Sequence, residues 1–96
     1  MHKLRKQIQP RLGVEKAFGQ IVRSIREGEL RISQAELEKR TGLNRTFISD
    51  LERGIQGPGI RTILRIAKGL ETTPCSLLRR TTRNKFFEFP TGKEVS

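Results

Sequence analysis

Tryptophan and tyrosine are absent from this 96-residue chain, and cysteine and histidine occur once each, as Cys75 and His2. A single cysteine forbids an intramolecular disulfide, and one cysteine with one histidine makes no metal cluster. Cys75 is expected to be a buried, inert thiol. Without tryptophan or tyrosine, stacking platforms for single-stranded nucleic acid are scarce. No apolar run approaches the roughly 18 residues of a membrane span. The basic start MHKLRKQIQP has no apolar segment behind it, which a signal peptide requires. These absences predict a soluble, cytoplasmic chain with no membrane partner. Convincing strands are missing, so no glycine-rich phosphate loop can follow one. No catalytic constellation is visible. His2 stands alone in a polar arm, and the carboxylates mostly have basic neighbours at helical spacing, as surface charges do. The chain therefore reads as no enzyme, with no cofactor and no metal.

Positive charge is plentiful. Twenty basic residues stand against ten acidic ones, a net charge of +10, while only 33% of residues are hydrophobic. A balance this basic favours an anionic polymer or surface as partner. Residues 1–16 carry five basic and one acidic residue, residues 17–78 ten and seven, and residues 79–96 five and two. The ends are thus more basic per residue than the middle. The length allows one small domain. The expected division is a flexible basic arm over 1–13, a helical domain over 14–80 and a C-terminal tail over 81–96.

Apolar spacing of three and four predicts five helices and an all-α fold. Helix 1 is expected from Val14 or Glu15 to Glu27, with Phe18, Ile21, Val22 and Ile25 inward and Gly28 as the stop. Helix 2 covers Gln34 to Thr41, with Ser33 as N-cap and Glu36 completing a capping box. Gly42 supplies the left-handed turn that glycine adopts without a Cβ penalty. Asn44 caps helix 3, Arg45 to Arg53, whose stripe is Phe47, Ile48 and Leu51. Helix 4 runs from Ile60 to Leu70 with Ile60, Ile63, Leu64, Ala67 and Leu70 on one side. Thr73 and Pro74 start helix 5, to Arg80, with Leu77 and Leu78 facing inward. Phe86, Phe87 and Phe89 form an apolar knot before Pro90. Helix, glycine turn and helix over 33–54 make a helix-turn-helix unit, whose second helix can enter a DNA major groove.

The residues Ser33, Gln34, Leu37, Gly42, Leu43, Ile48, Ser49, Glu52 and Gly54 resemble the helix-turn-helix of the Cro and phage-repressor type, the XRE family. The resemblance continues through Pro58 and ILRIAKGL to Leu77 and Leu78. It implies a lambda-repressor-like DNA-binding domain and a transcriptional regulator. It also implies that Glu52 pairs with an arginine of helix 1. The connector from Glu29 to Ile32 is one residue longer than the usual link, so Arg26 is the matching arginine and Arg23 the fallback. Glu38 and Thr41 stand where common members carry alanine, at the approach of helices 2 and 3. A carboxylate there needs a partner or a route to solvent, and Arg45 and Arg40 are the candidates.

Base reading requires side chains at the start of helix 3 that lie off the apolar stripe. Arg45 suits a guanine edge, Thr46 offers a methyl and a hydroxyl, and Ser49 can reach a base or a phosphate. Phosphate contacts should flank them: Gln34 by resemblance, Asn44 beside its capping role, and Arg61 and Thr62 at the start of helix 4. One short helix buries little surface, so the expected partner is a double-stranded operator bound by a homodimer. Two other readings share these residues. One is an antitoxin that binds DNA and a partner toxin. The other is a protein-interaction adaptor.

Overall fold

The computed structural model describes residues 13–90, and all of its regular elements are helical. The expected basic arm, with Arg5, Lys6 and Arg11, lies outside these residues, as does the chain beyond Pro90. Five helices follow one another. Helix α1 is α-helical over Val14–Arg23 and continues as a π-helix over Ser24–Glu29; α2 is Gln34–Thr41, α3 Arg45–Glu52, α4 Ile60–Gly69 and α5 Pro74–Thr82. Helix α1 packs against α3 and α5, α2 against α3 and α4, and α4 against α5.

Local chemistry places the starts. The Ser33 hydroxyl accepts from Glu36 N–H at 3.0 Å, Asn44 Oδ1 from Thr46 N–H at 2.7 Å, and the Thr73 hydroxyl from Ser76 N–H at 3.0 Å. The capping box is made on one side only, because the Glu36 carboxylate accepts from Arg40 Nε at 3.2 Å. Gly42 closes α2 at φ 76° and donates its N–H to Glu38 C=O at 2.8 Å. Helices of eight residues are marginal in isolation, where roughly 12–15 residues are needed. Burial of their stripes holds α2 and α3 in place. Leu37, Ile48 and Leu51 are buried with Phe18, Val22 and Ile25 of α1, Ile66 and Ala67 of α4, Leu70, and Leu77 of α5.

Gly28 does not end α1. The helix widens instead, with Leu30 N–H bonded to Ile25 C=O at 2.8 Å and Ile32 N–H to Arg26 C=O at 2.9 Å. A π turn accommodates one residue more than an α turn, so the extra length of the connector lies within the helix. Arg31 follows in the left-handed region at φ 57°.

Gly19 was given no role by its sequence context. A Cβ there would lie 2.2 Å from Leu51 C=O and 2.8 Å from Glu52 C=O. The backbone of α1 thus meets the end of α3 at a distance only glycine permits.

Other expectations are corrected. Cys75 is exposed, in the first turn of α5, whose buried side is carried by Leu77 and Thr81. Ile60 is 77% exposed, Leu64 52% and Leu78 46%, so neither apolar side is wholly covered by the described residues. Thr41 is buried, and its hydroxyl donates to Leu37 C=O at 2.8 Å and accepts from Leu43 N–H at 3.1 Å. Its methyl occupies the space beside Gly69, where a Cβ would be 2.6 Å away, so it faces α4 as well as the turn. Glu38 is half-buried and makes no ion pair among the described residues; Arg40 instead binds Glu36, Glu71 and Gly69 C=O.

The tail folds back. Asn84 Oδ1 accepts from Phe86 N–H at 2.9 Å, turning the chain towards the start of α1. There Lys16 Nζ lies 4.9 Å from the Phe86 ring centre, and Phe87 meets Phe89 edge-on at 4.8 Å.

Candidate nucleic-acid interface

Of the expected site residues, Gln34 and Ser49 line one cleft, and Asn44, Arg45 and Thr46 follow one another at the start of α3. Burial of Ile48 and Leu51 fixes the rotation of α3 about its axis. That rotation leaves Arg45 and Thr46 exposed and Ser49 half-buried. Asn44 is also exposed beside them, and its side chain is engaged in the cap. Arg61 is exposed and Thr62 half-buried in the first turn of α4, where backbone N–H groups lack helical partners. Arg61 makes no ion pair among the described residues.

Behind this surface lies a buried ion pair. Arg26 Nε donates to Glu52 Oε2 at 2.6 Å and Nη2 to Oε1 at 3.0 Å. The third guanidinium nitrogen, Nη1, donates to Ile32 C=O at 2.8 Å, so one side chain ties α1 to α3 and to the connector. The side chains are only 7% and 3% exposed. Two parallel charged bonds of this kind are among the stronger hydrogen bonds in proteins. The Glu52 hydrogen bond raises the proton affinity of Arg26 above its usual value. Burial opposes the shift, and the negative charges of Glu52 and Glu27 add to it.

Gln34 sits differently from a free phosphate ligand. Its Nε2 donates to Glu52 Oε1 at 3.1 Å. Between α1, α2 and α3 is a cleft of about 330 Å³, lined by Arg23, Gln34, Ser49 and Arg53 above the ion pair. Arg23 pairs with Glu27 at 3.2 Å rather than with Glu52, and Arg53 approaches Asp50 at 3.7 Å. From the sequence, Arg23 is expected only as the fallback partner of Glu52, and Arg53 only as the end of helix 3. Their only signal is position, on the polar side of α1 and just past the end of α3. Among the described residues no three His, Cys, Asp or Glu side chains converge as metal ligands, and no helix is long and apolar enough to cross a membrane.

A surface of this shape suits an anion-bearing groove. Exposed side chains project from α3, neutral and basic groups flank them, and a buried ion pair fixes their mounting.

Comparison with known proteins gives the same picture. A helix-turn-helix family model matches residues 22–77. The control protein C.BamHI of Bacillus amyloliquefaciens is 43% identical over 65 residues, which are 68% of this chain and 80% of that protein. The crystal structure of the restriction-modification controller protein C.AhdI from Aeromonas hydrophila superposes with a TM-score of 0.62 at 32% identity, covering 65% of this chain and 92% of that one. The controller protein C.Esp1396I, solved as a tetramer in complex with its natural 35-base-pair operator, gives a TM-score of 0.67 at 26% identity and covers 73% and 91%.

Proposed function

We infer the function from family: the chain belongs to the helix-turn-helix family, of the Cro and phage-repressor type, and it is a DNA-binding transcriptional regulator. The finer reading is a controller of restriction-modification genes that binds a palindromic operator as a dimer. Its similarity to C.BamHI, C.AhdI and C.Esp1396I supports that reading over an antitoxin or an adaptor. It would act in the cytoplasm by occupying a promoter, with no catalytic step and no cofactor.

One observation carries the mode of binding: α3 buries Ile48 and Leu51 while Arg45 and Thr46 stand in solvent. In this reading α3 lies in the major groove. Arg45 bonds the two acceptors of a guanine edge, and Thr46 and Ser49 contact neighbouring bases. Gln34, Asn44, Arg61 and Thr62 hold backbone phosphates and set the register. The exposed Ile60 and Leu64 of α4 and Leu78 of α5 offer the second copy an apolar surface.

The test begins with selection of an operator from a random duplex library. Arg45→Ala should then lose about 1–3 kcal/mol on the preferred site and relax the choice of base at one position per half-site. Arg61→Ala is the control and should weaken all operators alike, lowering the log-log salt slope by about one. If Arg45→Ala keeps its base preferences while binding weakens, Arg45 is a phosphate clamp and Thr46 and Ser49 read the bases. No change in binding would remove α3 from the groove.

A further inference from the structure

Gln34 begins α2 on the surface read above as the DNA face, yet its side chain is not free. Its Nε2 lies 3.1 Å from Glu52 Oε1, the same oxygen that accepts from Arg26 Nη2 at 3.0 Å. We propose that Glu52 is a positioning residue for DNA binding: beyond tying α3 to α1, it presets the Gln34 amide for a backbone phosphate. The proposal rests on the reading of Gln34 as a phosphate contact.

The argument starts from what a carboxylate can do. An ionised carboxylate only accepts hydrogen bonds, whereas a primary amide has two N–H donors and one carbonyl acceptor. Gln34 must therefore turn Nε2, not Oε1, towards Glu52. That contact fixes which way round the amide sits, an orientation a solvated glutamine leaves undecided. One N–H is engaged by Glu52, and the second remains on the same nitrogen, directed about 120° away. A phosphate oxygen accepts from that second N–H and is repelled by a carbonyl. The preset orientation is the one that suits an anion.

The anchor itself does not wander. Glu52 is gripped through both oxygens by Arg26, and Arg26 is held in turn by Ile32 C=O. A free glutamine side chain loses much of its rotamer entropy when it is immobilised. Here much of that loss occurs on folding rather than on binding, the general source of affinity through preorganisation. Charge supports the geometry. Glu52 is neutralised by its partner, so its carboxylate orients Gln34 without presenting a net charge to the phosphate, and Arg23 and Arg53 line the same cleft.

A purely structural role for Glu52 predicts no link between it and Gln34 in operator affinity. A double-variant cycle separates the two roles. Arg26→Met with Glu52→Leu (R26M/E52L) replaces the pair by side chains of similar volume and leaves no unpaired buried charge, an exchange that folded proteins commonly tolerate. In the wild-type background Gln34→Ala should weaken operator binding about tenfold, as loss of a bond to a charged group does. In the R26M/E52L background the same change should cost no more than about twofold. Equal factors in the two backgrounds would overturn the positioning role and leave the phosphate contact standing. No effect of Gln34→Ala in the wild type would instead remove Gln34 from the DNA contacts. Should R26M/E52L fail to fold, nuclear magnetic resonance of the wild-type Gln34 side-chain amide decides. One Nε2 proton should already be shifted downfield in the free protein, and only the other should move when the operator binds. Movement of both would mean that the Glu52 bond is surrendered on binding, and the proposal would fall.

Discussion

Where α1 meets α3, the chain leaves nothing unpaired: Arg26 and Glu52 are buried in mutual contact, and Gly19 admits the carbonyls of Leu51 and Glu52. Where α4 and α5 face outward, Ile60, Leu64 and Leu78 stand in water. Both regions lie on helices, although Arg26 stands in the π-helical part of α1. Their difference is one of addressee. The first contact is with the chain's own backbone and is closed from both sides. The second is an apolar surface that the described residues leave partly uncovered. Geometry is thus fixed most tightly behind the surface proposed to read DNA.

Four perturbations probe this contrast. Gly19→Ala should be the most damaging, at about 4 kcal/mol, beyond the usual overpacking range because the obstructing atoms are backbone. Thermal melting checks it, and a loss below about 1 kcal/mol would mean that α1 and α3 can move apart freely. Glu52→Ala should cost about 3 kcal/mol by leaving a buried guanidinium without its partner. Chemical denaturation measures this, and an unaltered midpoint would show that the pair contributes no net stability.

Leu64→Ser addresses the other region. Monomer stability should change by less than about 0.5 kcal/mol, since the side chain is half in solvent. Self-association should weaken about tenfold, read by sedimentation over a range of concentrations. Unchanged association would place the contact between copies elsewhere, with the Phe86–Phe89 turn the next surface to vary.

The smallest effect concerns Glu29, whose carboxylate accepts from Arg80 Nη2 at 2.6 Å and joins the end of α1 to α5. The hydrogen bond from Arg80 lowers the Glu29 pKa, with burial opposing and the Arg80 charge assisting. A lowered folded-state pKa stabilises the fold above the unfolded value near 4.5, and the contribution disappears as pH falls through the folded value. Because the pair is exposed, Arg80→Ala should cost less than about 1 kcal/mol at pH 7, and nothing at pH 2. Denaturation at the two pH values provides the comparison.

The helix starts were legible in the sequence because Ser33, Asn44 and Thr73 announce themselves chemically. The turn at Gly42 and the buried stripe of α3 were legible for similar reasons. The π turn was not. A change from i−4 to i−5 bonding requires no particular residue, and the one extra residue of the connector was its only trace. Gly19 was silent because glycine inside a helix reads merely as a weak helix former. Its meaning depends on α3, more than thirty positions away. Ile60, Leu64 and Leu78 share the apolar character of the core residues. Periodicity marks a surface that shuns water without saying whose atoms cover it. The exposed groups of α3 followed from the stripe, whereas the Gln34–Glu52 bond required the fold.

The three-way grip of Arg26 has a further meaning for motion. Its guanidinium holds two oxygens of Glu52 and the carbonyl of Ile32 at once. Fraying of the connector would strip a bond from the same planar group that secures the last residue of α3. Local opening in small proteins runs along units that share contacts. Through Arg26 the π segment, the connector and the end of α3 share contacts and are expected to open as one unit. A helix proposed to read DNA and mounted in this way should have few partly open states in which it could dock out of register.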